Sequence, residues 1–178
     1  MTSLEPLIKS IKACAYLEGD FITRAGKPTH YYIDKYLFST NPATLSPLVE
    51  SLLTLLPPSE TYDRLAAPEL GAVPIAAVLS VAVGKPFVIV KKESKGYGTQ
   101  KLVEGYYQDG DRVVVIEDIL TTGGAALRAC EVIQSLGMRV TQVVGVIDRE
   151  EGAISNLESK GFKTQALISR TQLMACTL

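Results

Sequence analysis

Residues 113–125 read VVVIEDILTTGGA, and the order of residue types in this stretch decides the fold. Val113, Val114, Val115 and Ile116 form a β-branched run, which predicts a short strand buried on both faces. Two adjacent carboxylates, Glu117 and Asp118, sit at its end. The small-residue turn Thr121-Thr122-Gly123-Gly124 then opens an amphipathic helix. Glycines let backbone N–H groups approach an anion closely, and a helix N-terminus adds partial positive charge. The carboxylates can accept hydrogen bonds from vicinal ribose hydroxyls or help hold a metal, so the whole suits a sugar phosphate. No Gly-Lys-Ser/Thr follows the glycines, which excludes the nucleoside-triphosphate P-loop, and no G-x-G-x-x-G is present for a dinucleotide. The bland alternative is an ordinary strand–turn–helix with an acidic start.

Working outward, an alternating pattern surrounds this stretch. Strands are predicted at 64–67, 87–91, 112–117, 140–147 and 163–168, and helices at 71–83, 123–136 and 154–160. Strands without in/out alternation, separated by helices, imply a parallel sheet covered on both faces. Ligands in such sheets bind beyond the carboxyl ends of the strands. The acidic pair lies there, as do Pro68-Glu69-Leu70-Gly71 and Asp148-Arg149. Upstream, Leu4, Leu7, Ile8, Ile11 and Ala15 recur at helical spacing in a region ended by Gly19. Residues 21–23 and 31–34 read as a hairpin. Asn41-Pro42 starts a helix that runs to about Leu56 before Pro57-Pro58. The polar segment 93–108 is long for a connection between neighbouring strands, and its lysines suit a lid over an anion.

The 178 residues fit a single domain with a sizeable core. A net charge of −1 gives no reason to expect nucleic-acid binding. Cys14, Cys130 and Cys176 are odd in number and widely spaced, each expected in or near the core, which favours a reducing compartment. One histidine, His30, is too little for a zinc site and is expected at the surface or in a turn. Residues 1–17 lack the long apolar core of a signal peptide, and no apolar run approaches the roughly 18 residues of a membrane span. A cytoplasmic address and no membrane contact are expected.

The 113–125 stretch resembles the phosphoribosyl-diphosphate signature of type I phosphoribosyltransferases. Three further blocks narrow the resemblance to the orotate phosphoribosyltransferase family. Residues 88–105 (VIVKKESKGYGTQKLVEG) resemble its mobile loop, which usually reads Arg-Lys-Glu-x-Lys-x-His-Gly. Residues 21–34 (FITRAGKPTHYYID) resemble its N-terminal substrate segment, and residues 146–152 (VIDREEG) its Asp-Arg-x-x-Gly loop. The four blocks occur in the family's order and span nearly the whole chain.

The resemblance implies an α/β fold, the parallel-sheet type I phosphoribosyltransferase fold, with a small substrate-binding hood over about 1–40 and a mobile lid over about 92–108. It implies transfer of a phosphoribosyl group from 5-phosphoribosyl 1-diphosphate to orotate, with Mg²⁺ as cofactor, in pyrimidine biosynthesis. Glu117 and Asp118 would face the ribose hydroxyls, and Ile119, Leu120, Thr121, Thr122, Gly123, Gly124 and Ala125 would surround the donor's 5′-phosphate. Lys91, Lys92, Lys95 and Tyr97 would reach the diphosphate, with Lys92, Lys95 and Asp118 closest to catalysis. Arg24, Tyr31, Tyr32, Thr121 and Arg149 would hold orotate. No side chain is expected to hold the metal firmly, and Asp118 at most indirectly. The family's lid acts partly across a dimer interface, so a homodimer is expected. Three positions depart from the family: Lys91 replaces an arginine, Tyr97 a histidine, and Glu69 stands where many members carry lysine. The alternatives are another nucleobase phosphoribosyltransferase, or a non-catalytic regulator that senses the same donor. Asp118, read as an exposed strand-end group, is expected to be dispensable for folding.

Overall fold

A computed structural model describes residues 3–22, 26, 28–93 and 101–178 of the chain. Helix α1 (Glu5–Ala15) turns Leu7, Ile8, Ile11 and Ala15 inward. Strands β1 (Tyr16–Ile22) and β2 (Pro28–Ile33) follow and pair antiparallel as a two-stranded hood. The side chain of Asp34 accepts the Tyr36 N–H and so caps a short helix, α2 (Lys35–Ser39). Asn41 and Pro42 start α3 (Pro42–Leu52). The alternating part then runs β3 (Arg64–Pro68), α4 (Val73–Val83), β4 (Phe87–Val90), β5 (Val103–Glu104), β6 (Arg112–Leu120), α5 (Gly124–Ser135), β7 (Arg139–Asp148), α6 (Ala153–Ser159), β8 (Thr164–Ser169) and α7 (Arg170–Ala175).

These strands form one sheet in the order β5-β4-β3-β6-β7-β8. Every pairing is parallel except that of β5 with β4. Strand β6 shows how a continuous apolar run serves two layers, because successive side chains point to opposite faces. Val114 and Ile116 join a cluster with α1, α2, α3, α4 and α7, whereas Val113 and Val115 join a second cluster with α5 and α6. The hood side of the molecule is thus continuous with one face of the sheet. Cys130 is buried in the second cluster, where desolvation pushes its thiol up to about 12, while Cys14 and Cys176 are half-buried; all three are free. His30 is exposed on β2 beside Asp20.

The structure departs from the expected elements in physically readable ways. Strand β6 continues past the acidic pair, because Ile119 and Leu120 still pair with Ile147 and Asp148 of the long strand β7. Helix α3 stops at Leu52 rather than near Leu56; Thr54 then turns both its N–H and its hydroxyl onto the Ser51 carbonyl. Elements α2, β5 and α7 were not anticipated. Of the expected lid, residues 94–100 lie outside the described residues. Its C-terminal part includes the two-residue strand β5: Val103 is buried and pairs with Val90, and Leu102 and Tyr107 pack on the same cluster.

Opposite the carboxyl ends, ion pairs fasten the strands. Arg64 reaches Asp111 at 2.6 Å. Asp63 accepts from the Arg112 backbone at 2.8 Å and from its guanidinium at 2.8 and 3.0 Å. Those bonds hold the Asp63 carboxyl well below its ordinary range. A depressed carboxylate stabilises the fold above its unfolded pKa and loses that contribution as pH falls. Asp63→Asn should therefore lower Tm by a constant amount near neutrality. In thermal melts at a series of pH values, the gap to wild type should close as pH drops below about 4.

Candidate active site

The acidic pair is not exposed. Glu117 is 5 % and Asp118 2 % accessible, so the expectation of a dispensable surface carboxylate at Asp118 is overturned. Burial is tolerated because Asp118 is partnered: Oδ1 accepts the Ile119 N–H at 2.6 Å, and Oδ2 lies 2.9 Å from the Lys35 ammonium. Burial alone would lower the Lys35 pKa, but attraction to Asp118 and the bond to it outweigh that and raise it. Glu117 is pushed well above the usual carboxylate range, first by burial and then by the neighbouring Asp118. Its Oε2 is buried with no hydrogen-bond partner among the described residues. An unpaired acceptor in a cleft is an opening for a hydroxyl donor.

Gly71, just beyond β3, makes this packing possible. A Cβ there would stand 1.8 Å from Asp118 Oδ2 and 2.8 Å from Lys35 Cδ and Cε. The preceding Glu69 explains one departure from the family. Its Oε1 accepts the Lys92 N–H at 2.6 Å, so the carboxylate fastens the start of the lysine loop.

After β6 the chain turns through Thr121 and Thr122 into α5. Gly123, at φ 81°, is packed so closely on α6 that a Cβ would lie 3.1 Å from the Ala153 carbonyl. No side chain caps α5, while Gly124 and Ala125 are exposed, so the first turn offers its N–H groups to an anion. Asn156 holds the turn from the side by donating to the Thr122 carbonyl at 2.9 Å. Ile119 and Leu120 pack their side chains into the two clusters, and their backbone serves the site indirectly, through Asp118 and Arg149.

Arg149 follows β7 directly, and its N–H donates to the Leu120 carbonyl at 2.8 Å, which sets it beside the phosphate turn. Its guanidinium lies over the Tyr31 ring at 5.2 Å, donates to the Tyr31 hydroxyl at 3.2 Å and pairs with Glu151 at 3.1 Å. Tyr31 in turn stacks on Tyr16, centroids 5.7 Å apart at 18°, and the Lys12 ammonium lies over the Tyr16 ring at 5.5 Å. Lys12 also donates to the carbonyls of Met174 and Cys176 at the end of α7. Tyr32 is not brought to this site: it alternates to the opposite side of the hairpin, beside Phe21, and is exposed.

The lysines divide. Lys91 is committed to Glu104 of β5 at 2.7 Å, whereas Lys92 is exposed. Arg24, Lys95 and Tyr97 lie outside the described residues. Sequence reasoning missed Lys35, Tyr16 and Glu151. For Lys35 no signal existed, since its partner is distant in the chain; Gly71 was visible only as part of a strand end. Gly71→Ala should displace Asp118 or Lys35 and cost about 1–3 kcal/mol of stability by overpacking, measured by denaturant unfolding.

Residues 59–169 match the family model described as "Phosphoribosyl transferase domain". The chain is 42 % identical over 173 residues to an orotate phosphoribosyltransferase of Methanocella arvoryzae, covering 97 % of each, and 44 % identical over 148 residues to one of Thermococcus kodakarensis, covering 82 % and 80 %. Among solved structures it is similar to orotate phosphoribosyltransferase from Aeropyrum pernix, with TM-score 0.84, 29 % identity and coverage of 97 % and 96 %. It is also similar to the Mycobacterium tuberculosis enzyme in complex with 5-phospho-α-D-ribosyl 1-diphosphate, with TM-score 0.79, 26 % identity and coverage of 96 % and 98 %. With its mostly parallel sheet, acidic pair and uncapped glycine turn, the chain belongs to the orotate phosphoribosyltransferase family of the type I phosphoribosyltransferase fold.

Proposed function

We propose that the cleft joins orotate to 5-phosphoribosyl 1-diphosphate, giving orotidine 5′-monophosphate and diphosphate. The Arg149–Leu120 backbone bond carries this reading, because it sets a base-binding guanidinium beside the turn that receives a phosphate. The donor's 5′-phosphate lies on the N–H groups of residues 121–125. Its ribose hydroxyls face Glu117 and Asp118. A guanidinium can pair with the carboxylate or carbonyl of orotate, and Arg149 does so against the Tyr31 ring. The ring nitrogen of orotate attacks the anomeric carbon as diphosphate departs, through a transition state of oxocarbenium character. The protein fixes the two reactants in line and neutralises the leaving polyanion, with Lys92 and Lys95 supplying charge from the loop.

The described residues contain no group of three or more metal-ligating side chains. Two adjacent carboxylates fit a cation that keeps most of its water and phosphate ligands. Mg²⁺ would enter with the donor's phosphates and would supply charge neutralisation for the leaving group, with Asp118 at most an indirect partner. A cytoplasmic address accords with three free cysteines. A homodimer is supported by α4, where Val78 and Val81 share an exposed face, Val81 at 84 %.

Purified protein with orotate, donor and Mg²⁺ should consume orotate, followed by its absorbance; turnover of uracil or a purine instead would point to another nucleobase. Arg149→Ala should raise the KM for orotate at least about tenfold, the scale of a lost charged hydrogen bond. Donor KM should stay nearly constant, and a melting curve should report whether the hood remains seated. A lid shared across subunits makes a further prediction. Lys95→Ala and Asp118→Asn chains should each be nearly inactive, yet mixing them should restore part of the activity in hybrid dimers. Full subunit exchange without recovery would refute sharing.

A further inference from the structure

The ion pair between Lys35 and Asp118 poses a steric problem for the donor. Asp118 is 2 % accessible, and both of its oxygens are engaged: Oδ1 by the Ile119 N–H and Oδ2 by the Lys35 ammonium at 2.9 Å. A ribose hydroxyl accepted by Oδ2 would need a similar distance, and because this oxygen is buried it must compete with Nζ for it. Two things close over this oxygen, the Gly71 backbone and the Lys35 stem. The backbone is fixed between β3 and α4. The stem is a chain of rotatable bonds, and the side chain is 32 % exposed. The ammonium is therefore the part of the cover that can leave.

Its destination follows from the donor's chemistry. The ribose 2-hydroxyl is one carbon from the anomeric centre, and that centre carries the diphosphate. The molecule that displaces the ammonium thus delivers a second anion, the leaving group, beside it. We propose that Lys35 is a further substrate-contacting residue. In the empty site it neutralises Asp118, and when ribose takes Asp118 it passes to the donor's diphosphate. This rests on the reading that Asp118 accepts a ribose hydroxyl. It assigns a diphosphate contact to the hood side of the cleft.

The exchange is tested with two ligands that differ by the diphosphate, ribose 5-phosphate and the complete donor with Mg²⁺. In wild type, acetylation of Lys35 by acetic anhydride, mapped by mass spectrometry, should be slow without ligand. It should be several-fold faster with ribose 5-phosphate and slow again with the donor. By calorimetry, Lys35→Met should weaken the donor at least about tenfold while changing ribose 5-phosphate by less than about threefold, the difference expected for one lost charged hydrogen bond. Lys35→Arg should recover part of the donor affinity. Equal losses for both ligands, or no loss for the donor, would show that Lys35 merely supports Asp118 and overturn the exchange. So would unchanged acetylation under saturating ribose 5-phosphate, a result that needs no variant to fold. If wild type turns over orotate and donor while these tests fail, the exchange alone is wrong. If ribose 5-phosphate does not bind wild type at all, the ribose reading of Asp118 falls with it.

Discussion

Two carboxylates carried into the interior by one apolar strand are the constraint around which this molecule is arranged. Glu117 and Asp118 sit on adjacent residues of β6, nearly inaccessible to water. Burying such a pair is unfavourable unless each charge finds a partner or one proton stays on. The chain answers asymmetrically. Asp118 receives a backbone N–H and a lysine. Glu117 keeps an unpaired oxygen and is pushed toward the protonated state. A site left partly unsatisfied in this way is poised for hydroxyl donors, and a ribose supplies two on neighbouring carbons.

That arrangement makes the hood part of the catalytic centre rather than an appendage. Lys35 comes from α2, next to the hairpin, and Tyr31 comes from β2, yet their partners Asp118 and Arg149 belong to the central sheet or its rim. The hood therefore touches Asp118 through one charge and Arg149 through one ring. The Lys12–Tyr16–Tyr31–Arg149 stack extends the second contact to the end of α7. A cation over each ring of a tyrosine pair suits the negative faces of the rings. Arg149 is thus oriented from a distance by residues that need not contact a substrate.

Much of this was legible in the chain because two local signals coincide. The run Val113–Ile116 has no in/out alternation, which marks a strand covered on both sides, and clusters from both helical layers do cover it. The turn after it carries small residues, and the helix that follows starts without a side-chain cap. What stayed hidden depends on long-range pairing. Lys35 resembles any surface lysine until the hood folds onto β6. Val103 lies in a polar stretch and becomes a strand residue only because the edge of β4 is available to it. Tyr31 and Tyr32 are equivalent in sequence, and only the pleat of the hairpin directs one toward Arg149 and the other away. The burial of Asp118 was misjudged for a related reason: the strand's end was placed where the apolar run stops, whereas pairing with β7 carries it on to Leu120.

The departures from the family pattern also acquire a physical sense in this setting. Glu69 accepts the Lys92 N–H, Lys91 donates its own N–H to the Leu102 carbonyl, and its ammonium pairs with Glu104. These three contacts fix where the lysine loop leaves β4 and where the chain rejoins the sheet at β5. An arginine at position 91 could bridge the same distance, but the pair with Glu104 already occupies the cation there. In the proposed reaction, loop charge then falls to Lys92 and Lys95, and Lys35 is the lysine proposed to meet the leaving group from the hood. A compact ammonium at the end of a flexible stem can follow a phosphate that moves during the reaction, which a rigid guanidinium fork does less well. The guanidinium is kept for Arg149, whose proposed partner is a planar base and whose geometry is held by Tyr31 and Glu151.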